Sequence, residues 1–255
     1  MELFDYAFFP NFEESVFALA NLAASETWCF ANDRDQNSIL KSYLEHTFRR
    51  LKFEKKIKQN QAGSHFIFNT GLFTTKFEEI YAFFKEHRNP PATNPTQKFF
   101  IGFRKGSDIE VVSNFDQLPE RANYFERPEY LIFDPNKTIA INIDHIVDDN
   151  ISRLPEAYRG DRNIMMMLLN GAIEKSKKLA TLDYKIAIPQ CHNNNIQLLL
   201  PLFITSEETP DVALVLANIN NSYRASTILT LRMAYNNARL IVKPGSYWLS
   251  PQSVN

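Results

Sequence analysis

The stretch "HFIFNTGLF", residues 65–73, decides how the chain is read. Its aromatic and β-branched residues recur with a period near two, the spacing of a strand whose side chains alternate between faces. The same texture returns in "IYAFFKEH", "KFFIGF", "IEVVS" and "YLIFDPNKTIAINIDHI", so the chain from residue 63 onward is expected to build a sheet. Within the opening stretch, Asn69, Thr70 and Gly71 admit two readings. Glycine permits positive φ and the two polar side chains bond nearby backbone, as in a turn; the same groups at the end of an apolar strand can also hold a ligand.

Upstream the period changes. Val16, Phe17, Ala20 and Ala23 fall at three- and four-residue spacing over residues 13–24, and Leu40, Leu44, Phe48 and Leu51 repeat it, which predicts two packed helices. Behind the second lies "RRLKFEKKIKQN", where Arg49, Arg50, Lys52, Lys55, Lys56 and Lys58 face only Glu54. This run is either a solvated helix face or a local patch that attracts phosphate.

Downstream, Met165, Leu168, Leu169, Ala172, Ser176 and Leu179 predict a helix over residues 161–180, with Lys175, Lys177 and Lys178 in its last turns, where cations suit the helix dipole. "MMM" at 165–167 is core filler. "YKIAIPQ" and "IQLLLPLFI", joined by "CHNNN", then "DVALVLA" and "STILTL", predict further strands. "NPPATNPTQ", residues 89–97, is a loop, either a flap or a hairpin connection. Helices, then strands, a helix and more strands indicate an α+β protein: a helical N-terminal segment packed on a mixed or antiparallel sheet with additional helices. One compact domain over 1–255 is expected, with 1–62 as the helical segment and 63–255 as the α+β core.

Composition narrows the function classes. The 255 residues, 44% hydrophobic and 22% charged, suit a globular protein able to bury a core. Only 7 glycines against 21 phenylalanines disfavour a Gly-rich phosphate loop. A net charge of −1 gives no global basic signature, so adhesion to nucleic acid would have to come from a local patch. Cys29 and Cys191, far apart, support neither a disulfide framework nor a four-cysteine zinc site, and a reduced cytoplasmic setting follows. The acidic N-terminal stretch "MELFDYAFFPNFEESV" and the lack of a long apolar run predict neither export nor membrane insertion. No metal ligand set is evident, although carboxylates alone can hold Mg²⁺; the cofactor is left undetermined.

Candidate chemistry lies at strand ends. In "TIAINIDHI" a strand places Ile139, Ile141, Ile143 and His145 on one face and Asn142 and Asp144 on the other. His145 is then a partly buried imidazole, structural or acid–base, and Asn142 and Asp144 are ligand candidates. In "LRMAYNNARLI", a helix beginning near Met233 sets Ala234, Asn237 and Ala238 in an apolar sector and Tyr235 with Arg239 opposite, beside Asn236. Asn237 needs a bonded partner, while Tyr235, Asn236 and Arg239 can face a cleft. Tyr223 and Arg224, just before the strand "STILTL", form a pair able to stack on a base and clamp a phosphate.

The segments "FNTGL", "YLIFDPN", "INIDHI" and "YRASTILTLRMAYNNARLI" followed by "PGSYWLSP" resemble a bacterial domain family of unknown function that is occasionally fused to cold-shock, RNA-binding domains. The resemblance covers nearly the whole chain and implies an RNA-related context without supplying catalytic residues. Three functions are therefore carried forward. The first is RNA or nucleotide binding, extending to RNA processing, through Asn69, Thr70, Asn142, Arg224, Tyr235, Asn236 and Arg239. The second is an enzyme on a small phosphorylated or nucleotide substrate, with Asp144 or His145 as acid or base and Arg239 holding the anion. The third is a module that meets a protein partner through its aromatic surface.

Overall fold

The computed structural model describes residues 2–88, 90 and 96–254. The chain divides into two compact units, Met1–Cys29 with Asp33–Asn123, and Phe30–Asn32 with Tyr124–Asn255. Each combines helices with a sheet, so the α+β class holds. The loop read at 89–97 lies mostly outside the described residues.

The first unit contains α1 (Leu3–Tyr6), α2 (Phe12–Leu22), α3 (Ser38–Phe53) and a four-stranded antiparallel sheet in the order β1 (Lys58–Gln59), β2 (His65–Phe73), β3 (Glu79–Glu86) and β4 (Lys98–Lys105). The expected boundary at 62/63 runs through its interior. Phe48 and Leu51 of α3 pack with Phe68, Ala82, Phe84 and Phe100 on one face of the sheet. Ile67, Tyr81 and Phe83 point to the other face, where Val111 and Phe115 cover them. Alternation along the strands thus feeds two apolar layers.

β2 is interrupted once. Its register against β3 shifts between Asn69 and Phe73, and Gly71 sits at φ 76°. This is a bulge inside a strand, and it needs the left-handed conformation that glycine adopts without strain. A Cβ on Gly71 would lie 2.6 Å from the Tyr43 hydroxyl, which itself donates to the Thr70 carbonyl at 3.0 Å.

The last turn of α3 is tied to residue 123 by a buried charge pair. Arg50 and Glu54 bond each other, the Arg50 Nη2 donates to the Asn123 carbonyl at 2.6 Å, and both Glu54 oxygens accept from the Asn123 N–H at 3.1 Å. Burial alone would push the Glu54 carboxyl up; Lys56, the Asn123 N–H and Arg50 outweigh it and hold the group below the usual carboxylate range. Much of the basic run is therefore engaged in structure. Arg49 pairs with Glu2, and the Lys56 ammonium lies 2.9 Å from Glu54.

A segment read as a strand is helical here. "IEVVS" forms α4 (Ile109–Val112), in which Val111 is buried while Ile109 and Val112 are exposed. β-branched composition makes a strand only where a neighbouring strand completes the ladder, and this segment has none among the described residues.

The second unit holds a five-stranded mixed sheet in the order β5 (Thr138–Ala140), β9 (Ser222–Thr230), β8 (Val212–Ile219), β7 (Asn195–Leu202) and β6 (Ile188–His192), with only β5 and β9 parallel. α5 (Ile143–Asn150) and α6 (Arg162–Leu182) bury Ile146, Val147, Met165, Leu169 and Ile173 against Leu198, Leu200, Leu214 and Leu216. β6 and β7 are joined by Asn193 and Asn194, both at positive φ, the two-residue hairpin geometry that asparagine tolerates. α7 (Leu231–Arg239) follows β9 directly, with the Thr230 hydroxyl accepting from the Met233 N–H at 3.3 Å.

The strand expected over 138–146 ends at Ala140. Asn142 caps α5, its Oδ1 accepting from the His145 N–H at 3.2 Å, and Asp144 sits in the first turn, where a carboxylate suits the helix dipole. The period-two match spans only residues 139–145. Ile143, Ile146, Val147 and Asn150 carry the helical spacing that prevails.

Two outcomes test these constraints. Glu54→Gln should lower the unfolding free energy by about 3 kcal/mol at neutral pH, because it leaves Arg50 buried without its partner. A carboxylate held low in the folded state stabilises above its unfolded pKa, roughly 4.3, and that contribution is lost as pH falls through the folded value. The gap between wild type and variant in urea unfolding should accordingly close below about pH 4; a gap constant with pH contradicts the assignment. Gly71→Ala should cost about 2 kcal/mol or more in the same assay, from left-handed strain and the Tyr43 contact, and an unchanged midpoint would show that the bulge does not need glycine.

Candidate functional site

The first unit brings rings and cations together at one end of its sheet. Register places His65 of β2 opposite Lys85 of β3, and Lys85 opposite Phe99 of β4. Beyond β4, Phe8 extends the row: its N–H donates to the Lys98 carbonyl and its carbonyl accepts from the Phe100 N–H, both at 2.9 Å. Directly opposed residues share a face. His65, Lys85, Phe99 and Phe8 therefore stand side by side, about 5 Å apart from strand to strand.

The row is held in place from below and behind. His65 stacks on buried Phe83, with centroids 5.4 Å apart and planes 12° from parallel, and Phe83 is backed by Phe115. The Ser64 hydroxyl lies 3.0 Å from the His65 Nδ1. Just past β3, His87 stacks on Phe8 at 5.9 Å and meets Phe99 edge-on at 5.5 Å. Its Nδ1 lies 3.1 Å from the Thr96 carbonyl. The Lys85 ammonium sits 5.4 Å from the centre of the Phe99 ring. Ser64, His65, Lys85, Glu86, His87, Arg88 and Phe99 line a groove of about 470 Å³. The four rings of the row and its flank are half-buried, while Lys85 and Arg88 are exposed. Such a site presents aromatic faces to planar groups and ammonium or guanidinium groups to anions.

The residues singled out in the sequence fall elsewhere. Asn69 and Thr70 are fully buried in the β2 bulge. Asn69 accepts from the Gly71 N–H at 2.9 Å and donates to the Pro119 carbonyl at 3.4 Å; Thr70 donates to the Ile80 carbonyl at 2.6 Å and accepts from the Leu72 N–H at 3.2 Å. Their polar atoms serve the bulge.

In the second unit, Asn142 is the α5 cap, and Asp144 and His145 lie exposed on that helix. Asp144 pairs with Arg162 at 2.8 Å, and His145 faces Asp149 at 3.2 Å. Tyr223 and Arg224 do not act as a pair, because neighbouring strand residues point to opposite faces. Tyr223 is buried, stacked on Phe133, with its hydroxyl accepting from the Asp134 N–H, whereas Arg224 is exposed. On α7, Tyr235 is 1% exposed and meets Phe30 edge-on, Arg239 is 8% exposed, and Asn236 is half-buried. Half-buried Asn237 donates to the Gln190 side-chain Oε1 at 3.0 Å, and the Gln190 Nε2 donates in turn to the Gln197 Oε1 at 3.0 Å, so its amide has a bonded partner. Among the described residues, no group of three or more His, Cys, Asp or Glu side chains is placed to hold a metal ion, and no helix is long and apolar enough to cross a membrane.

Sequence reading missed the ring row because register, not spacing, assembles it from four separated segments. The one local signal was a histidine or lysine at the loop-side end of each strand, in "HFIF", "FFKEH" and "KFF".

No curated protein and no solved structure matches the chain. Residues 19–248, and with them both sheets, match a single domain family, and the chain belongs to DUF3825, a domain of unknown function.

Proposed function

We propose that the protein binds single-stranded RNA, with bases stacked on the ring row of the first unit. The observation that carries this reading is the alignment of His65, Phe99 and Phe8 on one sheet face, with His87 against them and Lys85 and Arg88 at their side. Every base offers a π face, and each base–aromatic stack contributes roughly 1–3 kcal/mol without regard to sequence. Cations beside the rings supply the phosphate attraction that the near-neutral chain lacks globally. The rings are preorganised by Phe83 and by edge-on contacts, so binding does not have to order them. The resemblance to a bacterial family with occasional fusion to cold-shock domains supports the same context. Exposed Arg224, on the second unit, is not required by this reading.

Phe99→Ala should weaken the binding of an eight-nucleotide RNA by roughly tenfold or more, the equivalent of one lost stack. Lys85→Gln should flatten the dependence of log affinity on log salt by about 0.7, one phosphate contact on a single strand. Fluorescence anisotropy across a salt series reads both, with thermal unfolding as the check on folding. Full affinity in both variants would sink the proposal. A mononucleotide that binds as tightly as the octamer would favour a small nucleotide as the ligand.

A further inference from the structure

Resting on that reading, we infer that the RNA strand continues past the ring row into a second cleft of the same unit, between residues 55–62 and 113–120, whose lysines take its backbone phosphates. Two hollows of about 540 and 500 Å³ lie along this seam. They share Lys58 and Gln117 and so form one trough. Side chains of one wall reach the other: Lys56 donates to the Arg121 carbonyl at 3.0 Å, Lys58 to the Gln117 and Leu118 carbonyls at 3.4 Å, and Gln61 to Asp116 at 3.5 Å.

The trough meets the ring groove at one residue. Asn60 accepts from the Ser64 and His65 N–H groups at 2.9 and 3.0 Å, and its Nδ2 faces Asn114 across the trough at 3.4 Å. A single side chain thus fixes the rim of one site and a wall of the other. At the far end, the close of α3 sets the lysines: Lys55 takes φ 56° and the Lys56 N–H returns to the Leu51 carbonyl at 2.8 Å. From Asn60, opposite His65, five residues lead back to Lys55, at most on the order of 15 Å of strand. At 3.4 Å per stacked nucleotide, that is room for about four. Exposed Gln59, Gln61 and Gln117 offer both donors and acceptors along the way. Glu120, 3.4 Å from Lys56, opposes an incoming phosphate.

The test measures anisotropy of labelled RNAs of one, two, four and eight nucleotides on the full chain. Affinity should climb from one to four nucleotides and further to eight, because the roughly four nucleotides of the trough follow those stacked on the ring row. Lys55→Gln with Lys58→Gln should weaken the four- and eight-nucleotide ligands roughly tenfold, flatten their salt slope by about 1.4, and leave the mononucleotide unchanged. Glu120→Gln, an exposed change that keeps the fold, should tighten the longer ligands alone. A plateau at four nucleotides or fewer, or length-dependent binding indifferent to both variants, overturns the cleft while a loss in Phe99→Ala still upholds the ring row. Absence of binding at every length overturns both.

Discussion

Everything proposed for the first unit depends on strand register. If β3 slipped by one residue against β2 and β4, Lys85 would leave the face that carries His65 and Phe99, and buried Phe84 would take its place. That slip is opposed from both sides of the sheet. Phe68, Phe84 and Phe100 must meet α3, while Ile67, Phe83 and Phe115 must meet each other. Two cores with opposite parity exclude any slip by an odd number of residues, and the row of rings is the consequence of the paired register at the sheet's end.

The same unit separates polar groups that hold the fold from those that lie at the margin of its apolar layers. Asn69, Thr70 and Arg50 are buried and the Glu54 side chain is 8% exposed; Asn69 and Thr70 accept from the Gly71 and Leu72 N–H groups of the bulge, and Arg50 and Glu54 bond the Asn123 main chain. His65, His87, Lys85 and Arg88 sit where the apolar layers run out. Burial favours groups whose bonding is complete, so the polar side chains that attract attention as unusual in an apolar stretch are the ones least free to bind anything else.

This explains which parts of the protein were legible in its sequence. Long periodic segments were: Leu40, Leu44, Phe48 and Leu51 gave α3, the 161–180 pattern gave α6, and the aromatic runs gave β2, β3 and β4. Short segments were not, since the three β-branched residues Ile109, Val111 and Val112 fit a strand locally and become one only with a partner. At 138–146 the error came from stopping the count before Val147 and Asn150 revealed the helical spacing. The ring row was illegible for a different reason. Phe8, His65, Lys85 and Phe99 share no spacing, and no arithmetic along the chain brings them together before the strands are paired. In α7 the helix itself was legible, yet its burial was not, because Tyr235 and Arg239 look like cleft residues until Phe30 and the sheet are set against them.

The most direct test of the ring row is to irradiate the protein with an eight-nucleotide RNA at 254 nm and to map the crosslinked residues by mass spectrometry. Zero-length crosslinks require base and side chain in contact. They should fall in the segments that carry His65, Lys85 to Arg88 and Phe99, and they should disappear when unlabelled RNA competes. Crosslinks confined to residues 124–254 would place the bases on the other unit and contradict the account.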